Sequence, residues 1–136
     1  MKFQHNALPG SLELAYLGDT LYDLYVRSHL IEKGGRVADL HRRAIHLVCA
    51  HAQSEALSRI EDALTEPEAA VVRRARNAKQ APTKNADAAE YHRATALEAL
   101  IGYLYATEQT ARMQELLETA LPAEMIVQEG FKHELR

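Results

Sequence analysis

The sequence predicts an all-α fold, and three observations carry that expectation. Apolar residues recur at spacings of three and four over long stretches, as they do along one face of a helix. Gly and Pro together number only ten and Trp is absent, which disfavours a turn-rich β-sandwich. No segment shows the apolar–polar alternation of a half-buried strand.

The elements follow in order. Pro9-Gly10 is a turn, with Ser11 as the helix N-cap. From Leu12, the stripe Leu14, Leu17, Leu21, Leu24 and Tyr25 carries a first helix to Ile31, and Gly34-Gly35 stops it. A second helical region begins near Val37 and runs through Leu40, Ala44, Leu47 and Val48. It continues, or restarts after a bend, through Ala56, Leu57 and Ile60 to Leu64. Thr65-Glu66-Pro67-Glu68 is a capping box with Pro in the first turn, so another helix starts there and ends between Asn77 and Lys79. Gln80 to Asn85 contains Pro82 and reads as a loop. A long helix covers roughly Ala88 to Ala106 with the stripe Leu97, Leu100, Ile101 and Leu104. An amphipathic helix with Met113, Leu116, Leu117 and Leu121 ends at Pro122, and the tail from Ala123 holds one more short helix.

At 136 residues the chain is expected to form one domain, spanning 1–136, around one core. No apolar run approaches the roughly 20 residues of a membrane span. The N-terminal residues lack the apolar stretch of a secretion signal. The single cysteine, Cys49, excludes an internal disulfide, and a cytoplasmic protein is the expectation. Between Val48 and Ala50, Cys49 reads as a small packing residue. Net charge is −3, but the charge is polarised. From Val71 to Ala86 there are five basic residues (Arg73, Arg74, Arg76, Lys79, Lys84) and no acid.

Two acids stand out. Asp19 follows Leu14-Ala15-Tyr16-Leu17-Gly18, and Glu98 sits within Ala96-Leu97-Glu98-Ala99-Leu100-Ile101-Gly102. A carboxylate in apolar surroundings needs a partner, because desolvating its charge is expensive. Tyr16, Asp19 and Asp23 share one helix face, and Tyr91, Thr95, Glu98 and Gly102 share another. Gly inside a helix costs about 1 kcal/mol relative to Ala. Gly18 and Gly102 beside acids therefore suggest close approach of another backbone or a ligand. The acids either meet around a cation, or are partly exposed or paired with Arg27, Arg42 or Arg43. The seven His residues include no zinc-protease pair, and G-x-S-x-G and Gly-rich phosphate loops are absent.

At these residues the sequence resembles a known family. LAYLGDTLYDLYVRSHL, from Leu14 to Leu30, resembles the signature helix of the ribonuclease III endonuclease domain. ATALEALIGYLY, from Ala94 to Tyr105, resembles that domain's second acidic helix. The stretch from Arg73 to Tyr105 is similar to the centre of the Mini-ribonuclease III branch, which has the catalytic domain and no double-stranded-RNA-binding domain. The resemblance covers roughly Leu12 to Leu121. It implies an all-α homodimer that cuts double-stranded RNA with Mg²⁺, or Mn²⁺ in its place, and the paired ends of precursor 23S ribosomal RNA as substrate. By position, Asp19 falls on the family's catalytic Asp and Glu98 on its catalytic Glu, and both are expected to hold the metal. Full-length ribonuclease III carries further acids where this chain has Ala15 and Thr95, departures that the Mini branch shares.

The chemistry agrees from below. Phosphodiester hydrolysis needs an in-line water and neutralisation of charge on the phosphate, and Mg²⁺ held by one or two carboxylates supplies both. Thr95 either orients a metal-bound water or packs its helix, and Asp23 either supports Asp19 or forms a surface ion pair. Arg74, Arg76, Asn77, Lys79, Lys84 and Asn85 offer donors to RNA phosphates and 2′-hydroxyls. His92 and Arg93 lie near enough in sequence to Glu98 to bind RNA beside the cut. The stripe Leu97, Leu100, Ile101 and Leu104, flanked by Tyr103 and Tyr105, is more than one short helix needs to bury, and suggests a dimer face. The alternative reading is a catalytically inactive helical protein that binds RNA or ribosomes, against which the retention of both acids weighs.

Overall fold

The structure, a computed structural model, describes residues 3, 8–78 and 86–134. Its helices are α1 (Ser11–Lys33), α2 (Val37–Val48), α3 (Ala50–Ser58), α4 (Glu66–Arg76), α5 (Ala86–Ala106), α6 (Thr110–Ala120) and α7 (Ala123–Glu134), with one 3₁₀ turn at Glu61–Ala63. The described residues contain no strand, as the all-α expectation requires. None of their helices is long and apolar enough to cross a membrane.

Local chemistry sets the boundaries. Gly10, rather than Ser11, precedes the first turn of α1, and its N–H donates to Glu13 Oε1 at 3.1 Å. Gly34 and Gly35 take φ of 92° and 127°, left-handed backbone that a Cβ resists, and this ends α1. The capping box at α4 forms as expected: Thr65 N donates to Glu68 Oε1 at 2.9 Å, and Glu68 N donates to Thr65 Oγ1 at 3.4 Å. Glu68 does more. It is buried, and its two oxygens accept Nε and Nη2 of Arg112 at 2.9 and 3.0 Å. This fork pins the start of α4 to α6, and it holds the Glu68 carboxyl below its ordinary pKa. The tail helix α7 is twelve residues long and packs on α2 and α1.

The bend between α2 and α3 falls at Cys49, whose backbone is extended (φ −69°, ψ 162°). Cys49 is exposed there, with its thiol donating to the His46 carbonyl at 3.5 Å, so it is not the packing residue its apolar neighbours suggest. The break in helix direction turns it out of the core.

α5 is the central helix, with α1, α3 and α4 packed around it. Leu97, Leu100, Ile101 and Leu104 are all 0% exposed within the single chain. That corrects the expectation of a dimer face on this stripe: helices on three sides bury it, and Tyr103 packs half-buried against the same core. The buried face of α1 also differs from the periodicity reading. Leu14, Ala15, Gly18, Tyr22, Tyr25, Val26 and Leu30 point inward, while Leu24 is 62% exposed. α1 is apolar nearly all the way round, so spacing alone leaves its orientation open. Contact with α5 decides it.

Candidate active site at the crossing of α1 and α5

The two helices touch backbone to backbone. A Cβ built on Gly18 would lie 1.7 Å from the Glu98 carbonyl oxygen, and one on Gly102 would lie 2.0 Å from that of Leu14. Only residues without side chains permit this approach, which is the close contact that the two mid-helix glycines suggest. The next residue after Gly18 is Asp19, and Glu98 sits at the contact itself. The crossing therefore brings the two acids together, and their carboxyl groups are within hydrogen-bonding reach. Asp19 is exposed and Glu98 is half-buried.

Burial first, then the hydrogen bond and charge of Asp19, push the Glu98 carboxyl up from 4.5 to about 8, against an opposing hydrogen bond from Gln53. Burial and the neighbouring Asp19 both favour the protonated form, so in the metal-free protein the Glu98 carboxyl keeps its proton well above the usual carboxylate range. Gln53, on α3, is 2% exposed and donates from Nε2 to Glu98 Oε2 at 3.2 Å. The sequence reading missed it. A lone Gln carries no local signal, and its partner lies 45 residues away.

Neither acid takes the arginines offered as partners. Arg27 pairs with Asp23 at 2.7 Å, and Arg42 pairs with Asp39. Asp23 is thus a surface ion pair. The Thr95 hydroxyl donates to the Tyr91 carbonyl at 3.0 Å, so Thr95 packs its helix. Ala15 is buried. Among the described residues no group of three His, Cys, Asp or Glu side chains converges. The donor set is two carboxylates of hard oxygens, which fits a Mg²⁺-like ion that keeps most of its waters. Tyr22, three residues beyond Asp19 and wholly buried, has a hydroxyl with no hydrogen-bond partner among the described residues. It lies close enough to Glu98 for that charge to oppose its ionisation.

The basic residues divide. Arg74, Arg76 and Asn77 are exposed on the last turn of α4 and just beyond it. Arg73, Arg76, Asn77, His92 and Arg93 line a shallow cleft of ≈ 260 Å³ between the end of α4 and the start of α5. Lys79, Lys84 and Asn85 lie outside the described residues. Arg93 has a structural engagement. It donates to Ser54 Oγ at 2.9 Å, the Ser54 carbonyl at 3.2 Å, Ser58 Oγ at 2.7 Å and Glu61 Oε1 at 2.7 Å. It clamps α3 onto α5, and its donors are directed into the protein as well as bordering the cleft.

Comparison with known proteins shows what the chain is similar to. The ribonuclease III domain family matches residues 12–109. A Mini-ribonuclease 3 of Symbiobacterium thermophilum is 52% identical over 111 residues, covering 80% of this chain and 85% of that protein. One from Brevibacillus brevis is 45% identical over 115 residues, covering 83% and 86%. A crystal structure of a Fusobacterium nucleatum protein superimposes with a TM-score of 0.76 at 30% identity, covering 85% of this chain and 93% of that one.

Proposed function

Because the chain belongs to the ribonuclease III family, in its Mini-ribonuclease 3 branch, we propose that it is a divalent-metal-dependent endoribonuclease specific for double-stranded RNA. The observation that carries this reading is the meeting of Asp19 and Glu98 at a backbone crossing only glycines allow. Asp19 and Glu98 hold Mg²⁺, with Mn²⁺ able to replace it. The ion supplies a water of lowered pKa and neutralises charge on the scissile phosphate. The basic end of α4 follows the RNA backbone, with Arg74, Arg76 and Asn77 as donors and Lys79, Lys84 and Asn85 continuing the segment. The substrate is the paired ends of precursor 23S ribosomal RNA, cut in the cytoplasm.

The test is incubation of the protein with a long RNA duplex and Mg²⁺, with and without chelator, followed by mapping of the ends. Staggered cuts in both strands, absent with chelator and absent from single-stranded RNA, are expected. A duplex built from the precursor ends should be cut at one fixed place. Metal-independent cutting, or equal cutting of single strands, would refute the reading.

The working unit is a homodimer. One acid pair cuts one strand, and two copies related by a two-fold axis match the symmetry of two antiparallel strands. The exposed face of α1 supports a second copy as partner. Leu12, Tyr16, Leu24 and Ile31 fall within roughly a third of the helix circumference at about 100° per residue. Tyr16 is 84% exposed and Ile31 66%. Tyr16 lies one turn before Asp19, so a partner seated there brings its own site close. Light scattering at micromolar protein should give twice the 15.2 kDa chain mass, and Tyr16→Arg should give the chain mass itself. A Tyr16→Arg protein that remains a dimer would place the interface elsewhere.

A further inference from the structure

Among the described residues, Gln53 is the side chain outside the acid pair that donates a hydrogen bond to either acid. Its environment leaves it little freedom. The side chain is buried, and α3 is fixed against α5 by the Arg93 clamp on the adjacent residue, Ser54. Arg93 thus ties down the backbone from which Gln53 reaches Glu98. Only the amide nitrogen can serve a carboxylate, so the orientation of the Gln53 side chain is also determined.

A Glu side chain has three rotatable bonds, and Glu98 at a half-buried site could turn its carboxyl in several directions. The contact to Oε2 removes that choice and leaves the other oxygen for Asp19 and a cation. We propose that Gln53 is a positioning residue for metal loading: it fixes the Glu98 carboxylate in the orientation in which Glu98 and Asp19 bind a divalent ion together. Hydrogen-bond partners of metal-ligating groups are commonly worth roughly 10–100-fold in metal affinity, and an effect of that size is expected here. Gln53 is buried and its amide is directed at Glu98. Its loss acts through Glu98.

The inference rests on the metal-site reading above. Gln53→Met keeps the length and volume of the side chain and removes its donor. Calorimetric titration with Mn²⁺ in the absence of RNA should give one site in the native protein, no site in Glu98→Gln, and a site weakened roughly 10–100-fold in Gln53→Met. Cleavage by Gln53→Met should be poor at low Mn²⁺ and recover at high Mn²⁺, with RNA affinity measured in chelator unchanged. Gln53→Asn, one methylene shorter, serves if the Met variant does not fold, and should show the same weakened site. Native Mn²⁺ affinity in a folded Gln53 variant would overturn the role of Gln53 alone. Absence of a Glu98-dependent Mn²⁺ site in the native protein would overturn the metal site itself. Loss of cleavage that excess Mn²⁺ does not restore would also overturn the positioning role.

Discussion

Glu98→Gln is expected to reduce RNA cleavage by roughly 10²–10³-fold while making the metal-free protein more stable at pH 8. The two effects have opposite signs for one reason. Glu98 has a folded-state pKa raised from 4.5 to about 8, first by burial and then by Asp19. Between those values the folded protein holds a proton that the unfolded chain has released. Stability therefore falls as pH rises through that window and is lowest above it. Gln keeps the shape and accepts the Gln53 hydrogen bond without ionising, so it removes the penalty. The gain should be on the order of 1–3 kcal/mol at pH 8, allowing for solvent at this half-buried site, and should vanish near pH 4.5. Urea unfolding at both pH values with chelator present, beside a cleavage assay with Mg²⁺, measures both signs. Asp19→Asn should lose cleavage similarly. Near-normal cutting by either variant would remove the acids from the reaction. A loss of stability at pH 8 in Glu98→Gln would mean that the carboxyl pair is not mutually destabilising.

Gly18→Ala and Gly102→Ala should each destabilise the protein by about 3–5 kcal/mol. On an exposed helix the same change stabilises by about 1 kcal/mol, so the sign itself is the test. The added carbon at position 18 would meet Glu98 backbone atoms at 1.7, 2.6 and 3.0 Å. At position 102 it would meet the Leu14 carbonyl at 2.0 and 2.9 Å. Backbone cannot swing aside as a side-chain tip does, so the helices must separate. The two substitutions open the same gap, and the double variant should lose less than the sum of the singles. Denaturant unfolding of the three variants decides it. Either single variant matching the native protein in stability would show that the crossing has room.

The acids and glycines of this site were legible because each violates its surroundings: a charge in an apolar run, or a weak helix former within a helix. The left-handed stop at Gly34-Gly35 and the Thr65–Glu68 capping box were legible because they act within a few residues. What could not be read is non-local. Gln53 acquires meaning only when α3 returns against α5. Arg93 resembles a surface cation until Ser54, Ser58 and Glu61 are placed around it. The outward face of α1 escaped for the opposite reason. Leu24 and Tyr16 belong to a helix with apolar residues on every side, so composition gave too many candidates for the core and packing chose among them. Cys49 was misread because a bend, not a helix turn, sets its direction.

The backbone crossing has a consequence for how this domain responds to heat. Interiors held at a distance by interlocking side chains loosen gradually, as alternative rotamers become populated and spacings drift. At Gly18 and Gly102 there are no rotamers to populate. The gap between the two strands of helix is a contact of peptide groups, fixed by bond lengths and van der Waals radii. Warming can soften the periphery without changing the separation of the two backbones that carry Asp19 and Glu98. The domain's geometry at this point behaves like a fixed jig, holding true until cooperative unfolding releases both helices together.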